Sequence, residues 1–325
     1  MANDPGLASD TCIFMEAISA DGGNQNPNDV WWLSPDITLT GHTSGPENAD
    51  AGTNQIAIRF HRKPSGTCNF PGDESITVEA WVANPSLVMA PHLRGSAARV
   101  GFIGSPLPAD GGSQTQQIDW TPPPASLPVP FGIDNPQQPG PKCLVAICYP
   151  ASLTPDANRF FVPGDQHLAQ HNLSLVSTTS TQVKFKVNTL NPSAGTAAVV
   201  PAVKLRAVMD LAPSNFVKKT ILKRLQLLPG FQQLRTAPLP EGFGFDLTGL
   251  QASQVVDHSH GSGGVSPTPP TPSFEAMVQL GAAVKQITFG AGLRGARQGD
   301  ACIYHLTQTF KDVAQGGLTL VMLKV

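Results

Sequence analysis

The chain has 325 residues, a formal net charge of −2, 40% apolar and 14% charged residues, and 31 each of Gly and Pro. That apolar content excludes a disordered chain, and the near-neutral charge excludes a global pull toward nucleic acid or an anionic membrane. The scarcity of Lys, Glu and Arg excludes a protein of long surface helices, and the length predicts two domains of roughly 150 residues each.

Taken in chain order, the N-terminus "MANDPGLASDTCIFMEAIS" has no Lys or Arg and no long apolar run, so it lacks the form of a secretory signal. Residues 1–27 are read as an N-terminal extension. Short segments with strand character follow: "DITLTG", "NQIAIRFHR", "SITVEAWVA", "RVGFIG", "QQIDWT", "CLVAICYP" and "HNLSLVST". Each is rich in Ile, Val, Thr or aromatic residues and is bounded by Gly, Pro, Asn or Asp. In "ITVEAWV" the alternation puts Ile76, Val78, Ala80 and Val82 on one face of a half-buried strand. Seven such strands with almost no helical period between them predict a β-sandwich over 28–178. No apolar stretch approaches the ~20 residues of a spanning helix.

The polar run "STTSTQ" divides the chain, and a second sandwich is predicted over 183–325. Its one convincing helix lies near 214–228. Ser214 suits the N-cap, Val217, Ile221, Leu225 and Leu228 form an apolar stripe, and "PG" ends it. The tract "HSHGSGGVSPTPPTPS", residues 258–273, reads as a flexible loop. The expected fold class is all-β: two sandwich domains, the second with one inserted helix.

The five cysteines show no CxxC pair and no zinc-ribbon spacing. Cys143 and Cys148 are five apart in one strand and face opposite ways, so they do not bond to each other. Buried free thiols are expected, with a long-range bridge such as Cys68 to Cys143 left open.

Several motifs invite a chemical reading. His167 and His171 in "HLAQH" have the spacing of a helical metal site, but the β-rich "NLSLVST" after them predicts a strand that holds them roughly 13 Å apart. They are read as edge or surface residues. Asp257, His258 and His260 in "DHSHGSGG" are the better candidates for a weak divalent-metal site, and no other cofactor is expected. "GAGLRG", residues 290–295, matches GxGxxG but precedes a turn and strand, so its glycines are assigned to a hairpin or edge loop. The Asp- and Asn-rich turns at 19–29 and 45–54 offer calcium-type oxygens that also serve ordinary turns. Lys218, Lys219, Lys223 and Arg224 form the densest basic cluster and are candidates for partner binding. "NLS" at Asn172 is a formal glycosylation sequon.

"WWLSPDI", with Trp31, Trp32, Ser34, Pro35, Asp36 and Ile37, resembles the opening of bacterial immunoglobulin-like accessory domains of the adhesion-type (CARDB-like) group. The resemblance runs through "NQIAIRF", "VEAWVANP", "FIGS", "WTPP" and "CLVAICYP" to "DQHLAQHNLSLV", over roughly residues 28–176. It implies an immunoglobulin-like sandwich, a bacterial source, and a place outside the cell or on its surface, beside some other activity. The C-terminal half resembles a second such sandwich only loosely.

With many strands and no convergent catalytic set, the leading expectation is a non-catalytic binding, adhesive or assembly protein. It would recognise a protein or glycan partner through loops or sheet faces, with no nucleic acid, no membrane span and homo-oligomerisation left open. One alternative is a carbohydrate-binding module using Trp31, Trp32, Trp81 and Trp120 as a stacking platform. The other is a metal-dependent hydrolase whose site is assembled from distant loops.

Overall fold

The computed structural model describes residues 12–23, 30–68, 75–90, 96–123, 136–152, 160, 162–192, 194, 200–226, 235–236, 242–248, 250, 255–261 and 272–325. The chain forms two compact units, one of residues 1–84 and 90–172 and one of residues 85–89 and 173–325. Both are β-sandwiches, as expected. The boundary falls at Asn172, so "HNLSLVST" is two strands, and residues 173–178 belong to the second unit, not the first.

The strands of the first unit are β1 (Ile13–Phe14), β2 (Ile37–Gly41), β3 (Gly45–Pro46), β4 (Asn48–Ala49), β5 (Asn54–Arg62), β6 (Ile76–Ala83), β7 (Ala98–Ser105), β8 (Ser113–Trp120), β9 (Gly140–Pro141), β10 (Cys143–Pro150) and β11 (Leu168–His171). In one sheet β5 is central, with β8 along one side and β2 and β1 along the other. The facing sheet runs β11-β10-β6-β7, and all these pairings are antiparallel. Three long strands facing four, with the chain passing between layers from β5 to β6 and from β7 to β8, is an immunoglobulin-like arrangement. Alternation fills the space between. Ile37, Leu39, Ile56, Ile58 and Phe60 from one sheet meet Ile76, Val78, Ala80, Val82, Leu144 and Ala146 from the other.

The expected N-terminal extension is a correction. β1 pairs with the end of β5, Met15 is fully buried, and Cys12 is disulfide-bonded to Cys68 across a Cα–Cα distance of 5.2 Å. The Lys63 amide donates to the Cys12 carbonyl (2.8 Å), so the turn after β5 returns beside Cys12. Cys143, Cys148 and Cys302 are buried free thiols, which removes Cys143 as a partner for Cys68.

The second unit contains β12 (Leu173–Thr178), β13 (Gln182–Thr189), β14 (Ala202–Met209), α1 (Asn215–Gln226), β15 (Arg235–Thr236), β16 (Phe243–Asp246), β17 (Val255–Gly261), β18 (Ser273–Gln279), β19 (Lys285–Gly292), β20 (Asp300–Phe310) and β21 (Val313–Lys324). The larger sheet runs β12-β21-β20-β14-β18-β17, with β12 parallel to β21, and the smaller runs β13-β19-β16. Phe243, Phe245, Phe274, Phe289 and Tyr304 interlock between them, with ring centroids 5.0–6.2 Å apart. Residues 85–89 join this unit: the Leu87 amide donates to the Asn188 carbonyl (2.9 Å) and the Asn188 amide to the Pro85 carbonyl (2.8 Å). A Cβ on Gly316 would lie 2.0 Å from the Leu87 carbonyl oxygen, so only glycine allows this approach.

Helix α1 begins where Ser214 predicts. Its hydroxyl accepts from the Val217 amide (3.3 Å), and Val217 and Ile221 are buried. The flexible loop expected over 258–273 is corrected at its start, because Val255–Gly261 is a strand paired antiparallel with β18; residues 262–271 lie outside the described residues.

Candidate functional site

Of the two histidines that raise the metal question, His171 is in β11 and His167 is in the turn immediately before it. They are not edge or surface residues: both are fully buried. One side of β11 pairs with β10, and the other is covered by Trp32–Ser34, since the Ser34 amide donates to the Gln170 carbonyl (2.9 Å) and the Asn172 amide to the Trp32 carbonyl (2.8 Å). The rings have separate partners. His167 Nδ1 lies 2.9 Å from Asp165 Oδ1, and His171 Nε2 lies 2.8 Å from Glu47 Oε2 with Nδ1 2.9 Å from the Ser34 carbonyl. Burial alone would push the His171 pKa down. The Glu47 charge and hydrogen bond, with the Ser34 carbonyl, outweigh it and raise the pKa above the ordinary histidine value. This is a buried, hydrogen-bonded His–Glu pair inside a sandwich. Asn172, the sequon residue, is fully buried too and offers no place for a glycan.

Two other polar groupings have the residue types of chemistry. The ligand atoms of Glu16, Asp36 and His61 lie within 4.8 Å of one another. Asp36, fully buried as a side chain, already accepts from Arg59 Nε (2.7 Å) and the Glu16 amide (2.6 Å), and His61 Nε2 sits 3.0 Å from its Oδ2. The guanidinium supplies the positive charge that a metal would bring, so the grouping acts as a clamp between β1, β2 and β5. In the second unit, Asp210 Oδ2, His305 Nε2, His305 Nδ1 and the Thr319 hydroxyl form a chain with steps of 3.0 and 2.9 Å. Burial pushes the Asp210 carboxyl up, but the hydrogen bonds from His305 and the Ala212 amide hold it below the usual range. The order imitates an Asp-His-hydroxyl relay, yet Thr319 is fully buried and no substrate can reach its oxygen.

The acidic turns are engaged locally. Asp21 accepts from the amides of Ala17, Ile18 and Gly23, and Asp50 from those of Thr43, Ser44 and Gly52. The Thr43 amide foremost holds Asp50 well below the usual carboxylate range. Trp31, Trp32 and Trp120 are buried, and half-buried Trp81 packs against Phe160, so these four rings form no open platform.

One surface feature has no structural duty. A cavity of about 590 Å³ is lined by Thr181, Gln182, Lys184, Gly242, Gly290, Gly292 and Arg294, together with Val183 and Ala291. It lies on the outer face of the smaller sheet of the second unit, because Ile287, Phe289 and Ala291 of β19 point inward and the residues between them point out. Lys184 stands opposite Gly290, and Gln182 opposite Gly292. Gly290 and Gly292 have no positive φ, and an added Cβ would meet nothing closer than 3.8 Å at either, or within 4 Å at Gly242. Neither backbone conformation nor crowding requires glycine there. Gly290 and Gly292 of "GAGLRG" therefore belong to a strand floor, while Gly295 (φ 83°) lies in the turn after it, as a loop role predicts, and β20, not a helix, follows.

The residues expected to act are dispersed. Asp257, His258 and His260 lie in β17, whose backbone pairs with β18, while their side chains lie outside the described residues. Lys218 and Lys219 are exposed on α1; the side chains of Lys223 and Arg224 lie outside the described residues. Sequence reading missed the groove, although two glycines spaced to share one strand face were a usable signal.

No known protein family and no curated protein matches the chain. Among solved structures it is similar, at 12% identity over 88% of this chain and 92% of the other, to a chain from a structure of manganese lipoxygenase of Gaeumannomyces graminis with part of zonadhesin of Komagataella pastoris (TM-score 0.19). A second similarity, at 8% identity over 89% and 99%, is to the C-terminal domain of the Streptococcus pyogenes antigen I/II-family protein AspA (TM-score 0.19). Likenesses this distant carry no functional argument. Among the described residues no helix is long and apolar enough to cross a membrane.

Proposed function

We propose that the chain is a non-catalytic binding protein, adhesive or assembling in role, that holds a macromolecular partner in the glycine-floored groove of its second sandwich. The groove carries this reading: it is open, polar, cationic at Lys184, and built from glycines that the fold does not need. Its described lining residues include no histidine and no carboxylate, whereas His167, His171 and Thr319 are fully buried. The Cys12–Cys68 bridge supports a place in an oxidising compartment, in keeping with the surface location that the immunoglobulin-like resemblance implies.

The test is retention of the fluorescently labelled full chain on intact cells and envelope fractions of the producing organism. The wild-type protein should be retained, and Gly290→Thr, which puts a branched side chain into the groove, should wash off. Equal retention of the two proteins would refute a role for the groove.

A further inference from the structure

We propose that the groove of the second sandwich binds an anionic saccharide, a segment of a chain carrying carboxylate or sulfate groups; this rests on the binding role assigned to the groove above. Four observations select this ligand. The floor is peptide backbone at Gly290 and Gly292, where an added Cβ would meet nothing closer than 3.8 Å, which leaves room for the face of a sugar ring to approach. The rim is hydroxyl and amide, Thr181 and Gln182, which suits a ligand covered in hydroxyls.

Charge supplies the third observation. Lys184 lines the groove, and exposed Lys186 lies on the same face two residues along β13; among the described residues of that face the one carboxylate is Asp246, opposite Thr288 in the next row. The excess is positive and local in a chain whose net charge is −2. The fourth observation excludes rivals. Among the described lining residues no apolar side chain is exposed, since Val183 and Ala291 are buried. A peptide partner draws most of its affinity from apolar anchors in pockets, and single-stranded nucleic acid from stacking on aromatic rings; the groove offers neither.

Isothermal titration of the full chain tests this with four probes: oligogalacturonate, heparin oligosaccharide, neutral dextran oligomers and poly-glutamate. At least one anionic saccharide should bind, dextran and poly-glutamate should not, and affinity should fall as salt is raised. Gly290→Thr and Lys184→Glu should each weaken binding at least tenfold, and the helix variant Lys218→Glu/Lys219→Glu should leave it unchanged. Gly290→Thr should melt at or above the wild-type temperature, because threonine suits a strand better than glycine. Should that variant fail to fold, Lys184→Glu alone decides.

Binding of poly-glutamate as tight as that of the saccharides, or binding that survives both groove variants, would overturn the proposal. So would loss of binding in the helix variant. Silence of every probe while the labelled protein still clings to cells through Gly290 sinks the saccharide assignment and leaves the binding role standing. Silence in both assays sinks both.

Discussion

The two sandwiches use their unusual residues in opposite ways. In the first, the histidines and acids that attract attention are drawn inward and paired: His171 with Glu47, His167 with Asp165, and Asp36 with Arg59 and His61. In the second, attention belongs to residues with almost no side chain, Gly290 and Gly292, which leave open a groove that the fold does not require. A reactive-looking residue with a full set of partners explains the fold. A residue with no structural reason to be what it is points to a ligand.

This contrast can be broken by experiment, because all four tryptophans, Trp31, Trp32, Trp81 and Trp120, lie in the first sandwich and report on it alone. The largest effect is expected from Glu47→Ala, which leaves the buried His171 ring without its carboxylate partner and should cost about 3–5 kcal/mol. Urea unfolding followed by tryptophan fluorescence would measure it. Since the folded His171 pKa is raised, the pair's stabilisation is fully present below the unfolded value near 6.5 and is lost as pH rises through the folded value. The fluorescence midpoint of the wild type should therefore fall on going from pH 6 into the alkaline range more steeply than that of Glu47→Gln. Parallel curves would mean that the pair is not ionised.

Next in size is the disulfide, which closes a loop between residues 56 apart. Cys12→Ser, or reduction of the wild type, should lower first-sandwich stability by about 2–4 kcal/mol and leave the second unchanged. A matching drop in both calorimetric transitions would show that the units do not unfold separately.

The smallest of the three is Gly316→Ala. Its methyl group would meet the Leu87 carbonyl and should cost about 1–3 kcal/mol in the second transition, with the tryptophan signal unmoved. Together with a stable Gly290→Thr, it would separate glycines needed for packing from those that are not.

Much of the architecture was legible in the sequence, because it rests on local rules. The period-two alternation at Ile76, Val78, Ala80 and Val82 marked a core face, and Ser214 marked a helix start. What stayed hidden depends on contacts between distant residues. His171 looked exposed because nothing near it in the chain shows that Ser34, 137 residues away, covers the other edge of its strand. The Cys12–Cys68 bridge likewise needs the pairing of β1 with β5. The groove was half visible: glycine spacing could be read, but Lys184 faces Gly290 only through the register of β13 against β19.

The loan of residues 85–89 to the second sandwich threads the two units through each other in sequence. A ribosome emitting this chain releases Pro85–Met89 about a hundred residues before β13, whose Asn188 receives it, so that strip must wait unpaired while the first sandwich closes around residues 90–172. A protease cutting after Asn172 would free a C-terminal fragment that lacks part of its own structure, with Gly316 facing a gap where Leu87 belongs. A single cut there keeps every residue of the first sandwich together and leaves the second without Pro85–Met89.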